Sequence, residues 1–388
     1  MNRLSRSLKI TFLLPGYPTI PIGGFRIVYQ YANEMASRGH LVTIIHPLRI
    51  LPLDNVINSE SSKKPDIVRK VWRNLRNYRI YLSKPSPIQW QSIDYRVKMV
   101  YHFGLPRLND FPDADILIAT AVGTAPVVEQ APISKGKKFY LIQHFESIMG
   151  NSEEAVLKTW RGKLRKIVIS KWLYNLGKDN GIGDMSYVPN AIDHGIFNVK
   201  DTVEHFTRPA SVLSLWHNAP WKGSLDALAA LQIIHSKYPD LKISFFGTHD
   251  RPTVLPSWIN YFRSPSQMQL VEIYNAHAIY LSASKSEGSA LTPMEAMACG
   301  CCFIGTRIGG FLDYAIDEKN SLLGPIENPA MLAGNLLRVI ESPALLSKLS
   351  QQGCEDIRNF SWDRSAAAFE SVLLQFSEEN PAEKATVD

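Results

Sequence analysis

Cysteine is scarce in this chain of 388 residues, with four in all, three of them crowded at Cys299, Cys301 and Cys302. These three fall at a helix end and in the next strand, too close together for a tetrahedral metal site, and no histidine pair completes them. They read as core residues, no metal is assigned, and the low count fits a cytosolic compartment. Long apolar runs are also missing, since none approaches the ~20 residues that a membrane span needs. The N-terminal MNRLSRSLKITFLLPG is basic, but its apolar stretch is six residues with no small-residue cleavage site behind it. It reads as a first strand instead of a signal peptide. There is no internal repeat and no low-complexity segment. A composition of 45% hydrophobic and 20% charged residues leaves little room for long disorder. The length suffices for two domains, each with its own core.

The net charge of +6 suggests an anionic partner. The bias is uneven. Lys63, Lys64, Arg69, Lys70, Arg73, Arg76 and Arg79 stand against only Asp66, with Val68, Val71, Trp72, Leu75 and Tyr78 interleaved at helical spacing. This segment reads either as a solvated helix face with an ordinary apolar side or as a peripheral dock on anionic lipid. A second cluster runs through Lys158, Arg161, Lys163, Arg165 and Lys166.

Strands and helices alternate along the chain, which predicts a parallel α/β architecture. Lys9–Leu14, Leu41–His46, Asp115–Thr120, Phe139–Gln143, Lys166–Ser170 and Ser186–Val188 are expected strands of a first domain over residues 1–192. Phe25, Val28, Ala32 and Met35 form the apolar stripe of a helix stopped by Gly39. The polar stretch 193–209 reads as the connection. A second domain over 210–361 restarts with strands at Ala210–Leu215, Leu241–Phe246, His277–Ala283 and Cys301–Ile304, and a helix from about Ser224. Helices are expected again from Ala330 and from Trp362.

The most informative stretch is Ser286-Glu-Gly-Ser-Ala-Leu-Thr-Pro-Met-Glu-Ala-Met-Ala-Cys-Gly300, in which seven residues separate Glu287 from Glu295. The preceding strand places Glu287 at its carboxyl end, where open α/β sheets bind ligands. Thr292-Pro293 reads as helix entry, and amides at a helix N-terminus suit a phosphate. A carboxylate on each side can accept hydrogen bonds from sugar hydroxyls, so the pattern points to a nucleotide-sugar site. A plainer account exists for each acid. Thr292-x-x-Glu295 is also a capping box, with Thr292 as N-cap and Pro293 at the first helical position. Glu287 stands in a Gly/Ser loop, where an acidic residue is usually just solvated.

The whole string resembles the E-x(7)-E signature of retaining glycosyltransferases with the GT-B fold, the large family-four group. Their common form, EGFGLPxLEAMACG, is matched at Glu287, Gly288, Leu291, Glu295, Ala296, Met297, Ala298, Cys299 and Gly300. The resemblance covers most of the chain and implies two Rossmann-like, doubly wound parallel-sheet domains facing across a cleft. It implies an acceptor domain first and a nucleotide-sugar domain second, with the helix of about 362–378 crossing back to the first. By that resemblance Glu287 contacts the transferred sugar, Glu295 the ribose diol, and Lys222 the donor diphosphate. His144 is implied as a hydrogen-bond donor to the sugar, although a single histidine is more often structural. Gly23 and Gly24, directly after the first strand, would let backbone approach the phosphates, with Arg26 just inside the helix. Gly288, Ser289, Ala290, Leu291 and Thr292 complete the donor loop, and Asn190 is expected to be architectural.

Some positions depart from the pattern. An arginine is common in the family six residues before the lysine; here that position is Trp216, with His217 beside it. Either Trp216 stacks on the donor while another cation compensates, or leaving-group stabilisation is weaker. Ala290 replaces a glycine and would be strained if the backbone there needs φ > 0. Ser289 replaces an aromatic and Thr292 a proline. Asp113-Ala-Asp115 mimics a D-x-D metal motif, but it precedes a strand instead of ending one and is rejected.

The expected function is therefore a retaining, metal-independent glycosyltransferase without a cofactor. It would act on a nucleoside-diphosphate sugar and a glycan or lipid-linked acceptor in bacterial surface polysaccharide synthesis. Two other readings share the scaffold: a nucleotide-sugar epimerase and a catalytically degenerate nucleotide-sugar binder. Nucleic acid is not expected as a partner, because the interleaved aromatics fit core packing equally well.

Overall fold

Thirteen strands form two separate, all-parallel sheets among the residues that the computed structural model describes, namely 6–18, 20–47, 88, 90–102, 106–200 and 205–378. The basic segment Lys63–Arg79 lies outside them. The described chain divides into two units, one drawn from residues 1–169, 173–188 and 365–388 and the other from 170–172 and 189–364.

The first unit's sheet contains β1 (Lys9–Leu13), β2 (Leu41–Pro47), β3 (Lys98–His102), β4 (Ile116–Ala119), β5 (Lys137–Ile142), β6 (Arg165–Val168) and β7 (Met185–Tyr187) in the order β3-β2-β1-β4-β5-β6-β7. The central strands read as continuous apolar runs because both faces are covered; β4, ILIA, is buried at every position. Helix α1 (Gly23–Ser37) buries Ile27, Val28, Tyr31, Ala32 and Met35 and ends at Arg38, with Gly39 turning the chain at φ +92°. Short α2 (Ala125–Glu129) follows β4, and α3 (Glu153–Arg161) is capped by Ser152, whose side chain accepts from Ala155 N–H. Helix α4 (Lys171–Asp179) leads towards β7.

The second unit's sheet contains β8 (Ser211–Leu215), β9 (Lys242–Gly247), β10 (Asn260–Arg263), β11 (Ile279–Ser282), β12 (Cys302–Thr306) and β13 (Ser321–Gly324) in the order β10-β9-β8-β11-β12-β13. Its helices are α5 (Ser224–Lys237), α6 (Gln267–Asn275), α7 (Leu291–Ala298), α8 (Pro329–Glu341) and α9 (Pro343–Ile357). One core, with Leu228, Leu231 and Leu336, joins α5 and α8 to the sheet; another, with Tyr274, Met294 and Met297, joins α6 and α7 to its other strand positions. The last helix, α10 (Trp362–Glu378), enters the first unit from Ser365 onward. There Ser365 meets the Tyr31 hydroxyl at 2.8 Å, Phe369 stacks on Tyr31 at 4.2 Å, and Glu370 holds Arg38 and His40.

Of the stretch 193–209, expected as a connection, the described residues 193–200 and 205–209 belong to the second unit. Phe197 is fully buried against Tyr274, and Ile192 forms a bridge with Ser361. The expected strands are present with ends shifted by up to two residues. Not anticipated were β3, β10, β13, α2, α3, α6 and α9. β3 and β10 are sheet-edge strands of mixed polarity, and β13 is a four-residue run. Among the described residues no helix is long and apolar enough to cross a membrane.

Candidate functional site

In both sheets the strand order reverses beside the first strand, between β1 and β4 and between β8 and β11. The loops leaving the carboxyl ends of those strands diverge there and leave room for a ligand. In the second unit the loop after β8 carries a short turn, Pro220–Lys222, closed by Gly223 at φ +63°. A Cβ on Gly223 would lie 1.9 Å from the Ala283 carbonyl oxygen, so only glycine permits this approach to the loop after β11. The turn delivers Lys222 to the loop after β11, which carries Glu287. Its Nζ donates to both carboxylate oxygens of Glu287, at 2.8 and 2.9 Å. Ser284 Oγ donates to Glu287 Oε1 at 2.9 Å. Gly310 lies beneath, where an added Cβ would fall 2.4 Å from the Glu287 carbonyl oxygen.

Glu287 is therefore not a solvated loop acid. It is 7% exposed and neutralised in place by Lys222 and Ser284. A buried carboxylate needs such partners, because leaving one unpaired is costly.

The donor loop that follows is held by its carbonyls. Trp172 Nε1 donates to Gly288 O at 2.8 Å, Asn190 Nδ2 to Ser289 O at 3.3 Å, and the Tyr314 hydroxyl to Ala290 O at 3.2 Å. With three successive carbonyls fixed, helix α7 starts at Leu291, one residue before Thr292. The capping box read from the sequence is accordingly absent: the N-cap is Ala290, it has no side-chain bond, and Thr292 and Pro293 are already helical. Glu295 is not a capping acid. It is 1% exposed, and it accepts a hydrogen bond from the Tyr274 hydroxyl at 3.2 Å. Ala290 sits at φ −70°, so the strain considered for it does not arise.

Trp216 is also placed differently from the stacking role considered for it. It is 8% exposed, packs edge-on against Phe245 at 5.6 Å, and belongs to the core beneath α5. His217, next to it, stays half-buried at the loop surface. Burial and the nearby Lys222 ammonium hold its pKa below the usual imidazole value, with Glu287 acting in the opposite direction.

Gly23, Gly24, Arg26 and His144 belong to the first unit. Gly23 opens α1, and a Cβ there would meet nothing within 4 Å, whereas a Cβ added at Gly24 would lie 3.5 Å from Gln143 Oε1. Arg26 lies one turn into the helix, its N–H bonded to Ile22 O. His144 follows β5, with Nδ1 2.9 Å from the Phe145 carbonyl. Beside it is a residue that sequence reasoning missed. Glu146 accepts from Val122 N–H at 2.8 Å, and burial raises its pKa to about 7. Tyr17, His46 and Tyr101 line the neighbouring strand ends, and burial lowers the pKa of His46 to about 4.

Other sequence candidates have structural partners. Asp113 pairs with Lys135 at 2.9 Å, and Asp115 accepts from Lys9 N–H at 2.7 Å, at the amino end of β4. In the second basic cluster Arg161 pairs with Glu154, Lys166 donates to Gly162 O, and Arg165 lies 3.6 Å over the Phe376 ring. All four cysteines are buried and none is in a disulfide, and burial raises the Cys301 pKa to about 11. No group of three candidate metal ligands occurs among the described residues. Ser284, Tyr274 and Gly310 had no signal of their own, because each acts through a neighbour distant in sequence.

Known proteins share this architecture. The sucrose-phosphate synthase of Thermosynechococcus elongatus superposes with a TM-score of 0.69 at 15% identity, over 96% of this chain and 99% of that one. Anabaena HepE, solved with UDP-glucose, gives 0.68 at 13% identity over 96% of this chain and 100% of that one. The fold is thus the two-domain GT-B class. Residues 198–356, within the second unit, match the family model described as Glycosyl transferases group 1. An uncharacterized glycosyltransferase of Methanocaldococcus jannaschii is 34% identical over 95 residues, covering 24% of this chain and 27% of that protein. The aligned part spans about a quarter of the length of the curated relatives matched.

Proposed function

We propose that this protein is a retaining glycosyltransferase that moves a sugar from a nucleoside-diphosphate donor to a glycan or lipid-linked acceptor. The observation that carries the reading is the convergence of Lys222, Glu287 and Ser284 at the β8/β11 switch point, with Glu295 buried behind the adjoining loop. A cation paired with one acid, and a second acid on the helix that follows, suit a donor whose diphosphate leaves while its sugar and ribose are held by hydroxyl contacts. Lys222 would leave Glu287 for the phosphates, since charge developing on the leaving group attracts it more strongly than the resident pair. Glu287, still held by Ser284, would then turn its free acceptor capacity to the hydroxyls of the transferred sugar. Glu295 would take the ribose diol. No metal is required in this scheme, because the ammonium and the α7 N-terminus neutralise the phosphates. By analogy with the family, the leaving phosphate helps deprotonate the acceptor on the same face. HepE was solved with UDP-glucose, which makes a uridine donor the first to try. A role in bacterial surface polysaccharide synthesis, on the cytoplasmic side of the membrane, fits this chemistry.

The test is a thermal-shift panel of UDP, GDP, ADP and dTDP sugars on the wild type and on Glu295→Ala. One nucleotide class should raise the wild-type melting temperature by several degrees, and Glu295→Ala should lose most of that shift. Incubation of the bound donor with glycan and lipid-linked acceptors should then give the transferred product with retained configuration. Absence of any shift would remove the donor site. A shift without turnover across the acceptors would leave only a binder, and release of a free sugar isomer from donor alone would indicate an epimerase.

A further inference from the structure

The loop between β8 and α5 is fastened by its own side chains. Ser224 Oγ accepts from the backbone N–H of His217 at 2.9 Å and donates to the His217 carbonyl at 3.0 Å. The imidazole itself accepts the backbone N–H of Ala219 on Nδ1, at 3.0 Å. A ring nitrogen that accepts an amide hydrogen carries none of its own, so the proton of the neutral ring is on Nε2. Among the described residues Nε2 makes no hydrogen bond to the protein. The charged and titratable groups acting on the ring are Lys222, Glu287 and His249, the first and last opposing protonation and Glu287 favouring it. Protonation would also require a hydrogen on Nδ1, and hence loss of the Ala219 bond. The neighbouring Trp216 side chain is committed to the core and to Asn218 Oδ1, leaving His217 as the loop's oriented polar group beside Lys222.

We propose that His217 is a neutral Nε2–H donor to the diphosphate of the sugar donor, acting beside Lys222, and that the Ala219 bond fixes both its tautomer and its lack of charge. This inference rests on the donor site proposed above. It assigns the place of a second cation to an uncharged group, so that the grip on phosphate does not depend on histidine protonation between about pH 6 and 8. A hydrogen bond to a charged acceptor that is lost on truncation corresponds to about a tenfold loss of affinity or more.

The experiment is isothermal titration of UDP, GDP, ADP and dTDP into the wild type and into His217→Ala, His217→Gln and His217→Lys at pH 6, 7 and 8. Thermal unfolding of each variant checks that the loop change leaves the fold intact. For the nucleotide that binds the wild type best, His217→Ala should weaken Kd about tenfold. His217→Gln, which offers an amide N–H near the Nε2 position without charge, should recover most of the loss. The ratio of wild-type to His217→Gln affinity should stay flat with pH, which cancels the titration of the nucleotide's own phosphate. An unchanged Kd in His217→Ala would overturn the inference. So would rescue by His217→Lys but not His217→Gln, or a ratio that climbs as pH falls, since either would make the residue a cation. If no nucleotide binds the wild type, the donor site itself fails; if the wild type binds and His217→Ala binds equally, only this inference does.

Discussion

The two sheets share a strand order up to the length of one edge, yet the residues at their carboxyl ends differ in kind. The second unit gathers formal charge there: the Lys222 ammonium, the Glu287 carboxylate it chelates, and the fully buried Glu295. The first unit gathers neutral and aromatic groups: Tyr17 and Tyr101 around a His46 whose pKa burial lowers to about 4, and a Glu146 whose pKa it raises to about 7. The same topology makes a crevice in both. What fills the crevice decides whether it suits a diphosphate or an uncharged ring and its hydroxyls. The backbones differ in the same sense. Gly223 is enforced by the approach of Ala283, whereas Gly23 has open space where a side chain would go.

The largest expected effect comes from testing that backbone contrast. Gly223→Ala places a methyl group 1.9 Å from a carbonyl oxygen and forces an L-residue to φ +63°. The loss of stability should be about 3 kcal/mol or more, because the loop after β11 has to move. Gly23→Ala, at ordinary backbone angles and with nothing within 4 Å, should change stability by less than about 0.5 kcal/mol. Urea denaturation of the two variants measures both. Equal losses would show that the two crevices are not built differently. Next in size is the ion pair. Lys222→Ala leaves the carboxylate of Glu287 buried with only Ser284 for support, which should cost about 2 kcal/mol. Adding Glu287→Gln to that variant should return about half of the loss, because the stranded charge is then gone. A double-mutant cycle that gives simple additivity would mean that the pair contributes charge placement but no stability.

Much of this contrast was legible in the chain, and the parts that were not have a common cause. β1, β2, β4, β5, β8 and β11 announced themselves as apolar runs, since strands covered on both faces have no polar alternation to blur them. Glu287, Glu295 and Lys222 stood out through the resemblance of the strings around them. The Lys222–Glu287 bond did not, because it joins residues 65 apart in sequence through a turn whose closeness to Ala283 is a tertiary fact. The capping box was misread for a related reason. Thr292-Pro293-x-Glu295 is a sound local signal, but Trp172, Asn190 and Tyr314 fix three carbonyls upstream and start the helix earlier. Local propensity was overridden by partners from three other segments. Trp216 shows the same limit, since a tryptophan after a strand can stack on a ligand or fill the core, and only packing chooses between them. Glu146 had no sequence signal, as its perturbation arises from burial.

Glu146 also gives the smallest and most pointed test. In the unfolded chain a glutamate titrates near pH ~4.3, and in the first unit burial raises its pKa to about 7. A folded-state pKa raised in this way contributes stability below the unfolded pKa, and that contribution is lost as pH rises through the folded value. Between about pH 4.3 and 7 the unfolded chain releases the proton first, so wild-type stability should fall across that window and level off above it. Glu146→Gln keeps an oxygen for the Val122 N–H but cannot ionise. Its stability relative to wild type should therefore grow from pH 5 to pH 7.5, by about 1–2 kcal/mol once partial solvent contact is allowed for. Urea midpoints at half-unit intervals of pH would follow it. A gap that narrows with rising pH would mean that the carboxylate is ionised and stabilised in the fold, and that this crevice holds charge after all. A gap that widens as expected keeps the first unit's edge neutral at low pH, the property that separates it from the ionised pair of the second.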